Sequence, residues 1–326
     1  MTALDLTTPT TSPSRAPAPP LLRHTRPRDL IALSRPYQWA KNLLVVPAPL
    51  LHSAAWTGTG LTSLAHALLV FTVASVLVYV GNDIADRHRD THHPVKRHRP
   101  LAAGRLPVAA AVVYGVLLAV VLTVCLVLLA PALAWPVGAY LALNAAYSCG
   151  VKNVPVLEVF VVAAGFNLRV LAGYLAVGLA PPGWLLACVF PLCLLLVLGK
   201  RRRELDQAGP RHRSALRGYT VTFLDQAIVL SAGLAAVTFL IFLSQDLGRD
   251  FHLAAVFLIP LVLLGLFRYL WAVTVKGGGA DPVRMLLRDR FLAIDALLCA
   301  VVLAWTKIAA ASSLPGLLHF LPGARS

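Results

Sequence analysis

The residues best equipped for chemistry are gathered in one short stretch, Asn82-Asp83-Ile84-Ala85-Asp86-Arg87-His88-Arg89-Asp90. Asn82, Asp86 and Asp90 recur every four residues, so on a helix they share one face, and Asp83 flanks the same stripe. Oxygen ligands at a helix end suit magnesium, which takes one or two carboxylates and completes its shell with waters and substrate phosphates. The competing reading is a solvated helix end whose carboxylates pair with Arg87, Arg89 and neighbouring bases. The regular spacing speaks against it, because carboxylates set this close repel one another until cations neutralise them. Asn82, Asp83 and Asp86 are therefore the expected metal or diphosphate ligands, with Asp90 beside them. A little further on, Lys96, Arg97 and Arg99 supply permanent cations. Cations next to magnesium suit a diphosphate, whose charge one metal ion cannot neutralise alone. His88, His92, His93 and His98 raise the question of zinc, but no Cys or carboxylate stands at closed-site spacing. They read as surface histidines.

A second charged cluster, Lys200-Arg201-Arg202-Arg203-Glu204, continues through Arg211, Arg213 and Arg217 to Tyr219. Lys200 and Glu204 are four apart and expected to pair, which leaves guanidiniums suited to bidentate phosphate binding. A stop-transfer anchor is the plainer alternative. Arg169 and Glu158 fall within or near apolar runs, where an ionised group must face a cavity or a partner. A structural pair with a charge on another helix is the plainer alternative for each. Lys41-Asn42, Lys152-Asn153 and the segment from Asp281 to Arg290 add further donors.

These residues have to be positioned by membrane helices. Apolar types make up 58% of the 326 residues and charged types only 13%, outside the range of soluble domains. A bilayer core of about 30 Å needs roughly 20 apolar residues per helix. About nine such stretches occur, near residues 40–57, 64–81, 108–130, 132–148, 155–177, 184–199, 226–244, 252–271 and 291–312. The fold class expected is an all-α, polytopic membrane protein of about nine helices, with its active-site mouth on one face. The net charge of +15 would suggest nucleic acid in a soluble chain. Here most Lys and Arg fall in alternate connections, which the positive-inside rule makes cytoplasmic, with the N-terminus inside. The expected partners are thus a bilayer and anionic substrates, not nucleic acid. A homo-oligomer is compatible with the sequence, which does not define the state.

Residues 1–28, rich in Thr, Ser, Pro and Ala, read as a disordered cytoplasmic tail. Residues 29–312 read as one membrane-embedded catalytic domain, and 313–326 as a short tail. The five cysteines lack ligand spacing and read as small core residues.

Several separate motifs in order resemble the UbiA superfamily of intramembrane prenyltransferases, and within it the branch that transfers phosphoribose to decaprenyl phosphate. Arg35-Pro36-Tyr37-Gln38-Trp39-Ala40-Lys41-Asn42 resembles its opening RPxQWxKN. Asn82 to Pro100 resembles NDxxDxxxDxxHPxKxxRP, and Gly199-Lys200-Arg201 its GKR. The resemblance spans most of residues 35 to 300. It implies a nine-helix fold in the plasma membrane and magnesium-dependent transfer of 5-phosphoribose from phosphoribosyl diphosphate to a polyprenyl phosphate, a step toward the donor of cell-wall arabinan. Ordinary members carry a second Asp-rich motif after the sixth helix, where this chain is basic. In that frame Lys96 and Arg99 are expected to hold diphosphate. Lys41, Lys152, Lys200 and Arg201 are expected on the 5-phosphate or lipid phosphate, with Asn42, Arg169, Glu204 and Tyr219 lining the substrate site. The rival readings are a prenyltransferase or terpene cyclase that uses an isoprenoid diphosphate, and an anionic-lipid transporter. The transporter would place its charges near the midplane rather than at one face.

Overall fold

The computed structural model describes residues 26–92, 96–209, 214–248, 251–279, 285 and 288–311. Both expected tails lie almost wholly outside them, as does most of the Asp281–Arg290 segment. Among the described residues all regular structure is helical. A short α1 (Pro27–Ser34) leads into three 3-10 segments, Pro36–Val45, Pro49–Leu51 and Ser53–Trp56. Long helices follow: α2 (Gly58–Asp90), α3 (Val108–Leu128), α4 (Ala134–Cys149), α5 (Leu157–Ala176), α6 (Gly183–Ala208), α7 (Val221–Leu247), α8 (Phe251–Thr274) and α9 (Arg290–Ala311). Six of these, α2, α3, α5, α6, α7 and α8, are long and apolar enough to cross a membrane. Eight of the nine expected stretches therefore match long helices, but the first, 40–57, does not. Pro47 and Pro49 lack the N–H that an α-helix needs, and the chain there takes tight turns instead. Among the described residues the all-α membrane fold is present, with six spans by length and composition, and the expected figure of about nine is not reached by that measure.

Helix α2 packs on α3, α4 and α5, α6 on α5 and α7, and α8 on α7 and α9. Phe71, Ala74, Val137, Tyr140 and Ala172 form one core where α2, α4 and α5 meet. Leu195, Leu198, Leu224, Ile228, Tyr269 and Val273 form another among α6, α7 and α8. By contrast, α3 leaves Val113, Val116, Leu117, Val120, Val124 and Val127 exposed, as a lipid-facing helix does. Such exposure costs nothing in hydrocarbon, where packing rather than water exclusion holds helices together.

The irregular first segment is seated on α5 at Gly173. A Cβ there would lie 1.9 Å from the Val45 carbonyl oxygen and 2.9 Å from the Pro49 ring. Only glycine permits this approach, which brings residues 35 to 42 to the bundle. At the end of the molecule where α2, α4 and α6 finish, polar ties replace apolar packing. Arg201 of α6 is 4% exposed and donates to both carboxylate oxygens of Glu158 at the start of α5, at 2.5 and 2.8 Å. It also donates to Glu204 at 2.6 Å. Arg202 donates to Asp225 of α7 at 2.5 Å and to the Val273 and Thr274 carbonyls of α8 at 3.3 and 3.4 Å. Arg105 joins Asp29 of α1 at 3.0 Å.

Asp289 caps α9, accepting from the N–H groups of Phe291 and Leu292 at 3.0 and 3.4 Å and from Arg268 at 3.0 Å. Burial raises its carboxyl, but the Arg268 hydrogen bond, those backbone N–H groups and the Arg268 charge outweigh it and leave it below the usual carboxylate range.

Three outcomes follow for purified protein in detergent. Gly173→Ala should lower the thermal midpoint by several degrees, whereas Gly233→Ala, whose Cβ meets nothing within 4 Å, should hold or raise it. Glu158→Ala, which strips a buried guanidinium of its main counter-ion, should cost about 3–5 kcal/mol, and Glu158→Leu with Arg201→Met should recover much of that in denaturation curves. The contribution of Asp289 is full above an unfolded carboxylate pKa of about 3.9 and is lost as pH falls through the lower folded value. The stability gap between the native chain and Asp289→Asn should thus shrink as the pH falls below about 4.

Candidate active site

Helix α2 has 33 residues and is therefore about 50 Å long, well beyond a bilayer core of about 30 Å. Its last turns project past the apolar region and carry the whole acidic motif in helical form. That position opposes the helix dipole, whose negative end lies where Asp86 and Asp90 add more negative charge. Counter-ions are required, and they arrive from three directions. Arg35, at the junction of α1 with the first 3-10 segment, donates to Asp83. The Nη1 of Arg99, in the connection before α3, bridges Asp83 at 3.0 Å and Asp90 at 2.6 Å. Lys152, just past α4, donates to both oxygens of Asp86 at 2.9 and 3.2 Å. Asn82 accepts from the Ser148 hydroxyl on α4.

The single face expected from the four-residue spacing is thus shared between two neighbours. At roughly 100° per residue, Asn82 lies at one edge, Asp86 in the middle, and Asp83 with Asp90 at the other edge. Asp83 and Asp90 turn toward Arg35 and Arg99, with side chains 2% and 5% exposed. Asn82 and Asp86 turn toward α4, and Asp86 is 27% exposed. Asp86 lines an open cavity of about 400 Å³ together with His88, Arg89, Ser148, Lys152 and Asn153. Among the described residues no three His, Cys, Asp or Glu converge as a closed metal cage. The donor set fits an ion that takes one or two protein oxygens and completes its shell elsewhere, the preference of magnesium.

Other candidate residues fall into different places. Lys41 is exposed on the first 3-10 segment, and Lys96 lies half-buried in the 3-10 turn Lys96–His98 that leads to Arg99. Asn42 and Arg169 do meet, but inside the bundle. Arg169 donates to Asn42 Oδ1 at 2.9 Å, the Gly165 carbonyl at 2.7 Å and the Tyr140 hydroxyl at 3.1 Å. Its guanidinium carbon lies 4.7 Å from the Tyr140 ring centre. Ser75 also donates to Asn42 Oδ1 at 3.0 Å, which ties the first segment to α2, α4 and α5. Ser75 precedes Asp83 by about 12 Å along the helix axis. Glu158 has its interhelical partner in Arg201 of α6, whereas Arg169 is held by Asn42, Tyr140 and the Gly165 carbonyl.

The second basic cluster is also less open than its sequence suggests. Arg201 and Arg202 are engaged as described above, and Arg203 faces Asp206 at 3.5 Å. Lys200 is half exposed, with Glu204 at 3.9 Å, so the expected pair is present but loose. Arg211 and Arg213 lie outside the described residues. Tyr219 is buried and accepts the Val156 N–H at 2.6 Å. Val156 has φ 67°, a strained value for a β-branched residue, so this bond secures the turn into α5. Two residues of the site were missed from sequence. Ser148 carried no signal, but Arg35 precedes Pro36, where α1 must stop, and its φ of 50° turns the chain toward α2.

The pattern of the UbiA prenyltransferase family matches residues 44–294. The chain is 36% identical over 275 residues to decaprenyl-phosphate phosphoribosyltransferase of Mycobacterium tuberculosis, covering 81% of this chain and 89% of the relative. It is 34% identical over 283 residues to the enzyme of that name from Corynebacterium glutamicum, covering 82% and 83%. A solved UbiA homologue from Archaeoglobus fulgidus, bound to DMAPP and Mg2+, superposes with a TM-score of 0.65 at 16% identity, covering 88% of this chain and all of that one. Matching along most of the sequence and in its helical fold, this chain belongs to the UbiA prenyltransferase family.

Proposed function

We propose that this chain transfers 5-phosphoribose from phosphoribosyl diphosphate to a polyprenyl phosphate, releasing pyrophosphate, with decaprenyl phosphate as acceptor. The observation that carries the reading is the acidic helix end on α2, ringed by bases from three segments, while the end of α6 is basic. One such site suits one metal-bound diphosphate, and the named activity of the relatives matches that requirement. The site belongs at the cytoplasmic face of the plasma membrane on the positive-inside argument.

The chemistry asks for charge stabilisation more than for acid or base. Breaking the C1–O bond of the ribose builds negative charge on the departing diphosphate and an oxocarbenium-like centre on the sugar. Asp86, with Asn82 and Asp83, would hold magnesium, which when bound neutralises part of the leaving charge. Arg99, Lys96 and Lys152 would hold phosphate oxygens, and Asp90 would orient Arg99. The acceptor phosphate is already anionic, so no side chain has to take its proton. Lys41, exposed on its 3-10 segment, and Lys200, half exposed on α6, would hold the lipid phosphate or the 5-phosphate.

The test offers purified protein magnesium, radiolabelled phosphoribosyl diphosphate and a polyprenyl phosphate in one tube, and a prenyl diphosphate with an aromatic acceptor in another. Labelled lipid in the first tube, abolished by EDTA, is expected. Product only in the second would make the chain an ordinary prenyltransferase. Asp86→Asn should lower turnover by about 10²-fold or more with expression unchanged, and full activity in that variant would sink the assignment.

A further inference from the structure

The acidic helix end is already neutralised by the protein itself. Asp83, Asp86 and Asp90 stand against Arg35, Arg99 and Lys152, and the geometry is close at each. Asp83 is the extreme case, since its nearly buried carboxylate lies between two guanidiniums. A divalent ion approaching Asp83 alone meets two positive charges. To take the carboxylate it must displace at least one guanidinium, whose charge is then left partly buried without an anion. Arg35 and Arg99 are only 16% and 25% exposed, so water compensates poorly. A diphosphate arriving with the metal removes this obstacle. It offers several anionic oxygens to the displaced bases, and guanidinium binds such groups bidentately.

We propose that Arg35, Arg99 and Lys152 are exchangeable counter-ions, held by the carboxylates between turnovers and passed to the diphosphate when it enters with the metal. Metal and diphosphate then bind as a unit, and neither binds well alone. The inference rests on the diphosphate-site reading above, and it adds Arg35, 47 positions upstream of Asn82, to the residues that contact the leaving group. The coupling is reciprocal: whatever factor pyrophosphate adds to metal affinity, metal adds to pyrophosphate affinity.

The test uses the full chain in nanodiscs, Mn2+ as probe metal and inorganic pyrophosphate as probe anion. Equilibrium dialysis reads the metal retained with the protein. Pyrophosphate should raise Mn2+ affinity at least about tenfold, within the usual range of coupling between ligands. Arg35→Gln and Arg99→Gln should each raise the affinity for Mn2+ alone severalfold and shrink the gain from pyrophosphate. Lys276→Gln, an exposed cation after α8 that lies over the Trp271 ring, should change neither. Equal Mn2+ affinity with and without pyrophosphate in the native chain would overturn the exchange, and that measurement needs no variant to fold. Unchanged metal-only affinity in both arginine variants would overturn it too, making the arginines permanent structural partners. Failure of phosphoribosyl transfer with the coupling intact would remove the proposed donor and leave the exchange standing. Transfer with no coupling would do the reverse.

Discussion

The end of α2 gathers three carboxylates where the helix dipole is already negative, and much of the neighbouring structure answers that placement. A helix end of this kind repels itself, so it is stable only where cations reach it from outside. The cations come from the α1 junction, the connection before α3 and the turn after α4, which explains why these irregular segments converge on one point. Long helices alone would not bring them there. The 3-10 segments, Gly173 and the Asn42–Arg169 tie hold the first of these segments against the bundle, from which Arg35 reaches Asp83.

The second charged cluster solves a different problem at the same end of the molecule. Where α5, α6, α7 and α8 meet, Arg201 and Arg202 bind carboxylates and carbonyls on other helices and so fix the helix ends relative to one another. Buried ion pairs contribute little net stability, but breaking one strands a charge and is strongly unfavourable. Such ties therefore select one arrangement of helices rather than deepen its stability. Lys200, on the same helix end, remains accessible. One run of basic residues is thus divided between architecture and accessible charge by which side of α6 each residue occupies.

That division also separates what could be read along the chain from what could not. The all-helical membrane fold followed from long apolar stretches, because a bilayer allows few ways to satisfy backbone hydrogen bonds. The acidic stripe followed from spacing, because a helix turns by a constant angle. The first apolar stretch winds as 3-10 segments rather than one α-helix, a difference hydropathy does not register because it counts apolar side chains and not backbone hydrogen bonds. Arg201 was assigned to phosphate because its partner Glu158 lies 43 residues away, and sequence spacing carries no information about contacts between helices.

The sequence by itself determined the fold class, the membrane setting and the shared face of the acidic residues at the α2 end, since each depends on composition or on the period of a single helix. The tertiary structure decided which cation meets which carboxylate: Arg35 and Arg99 with Asp83, Lys152 with Asp86, and Arg201 with Glu158. Those pairings depend on how separate helices pack and on where turns between them end. Charges of the same kind and similar local spacing are therefore sorted into site and scaffold only when the bundle assembles.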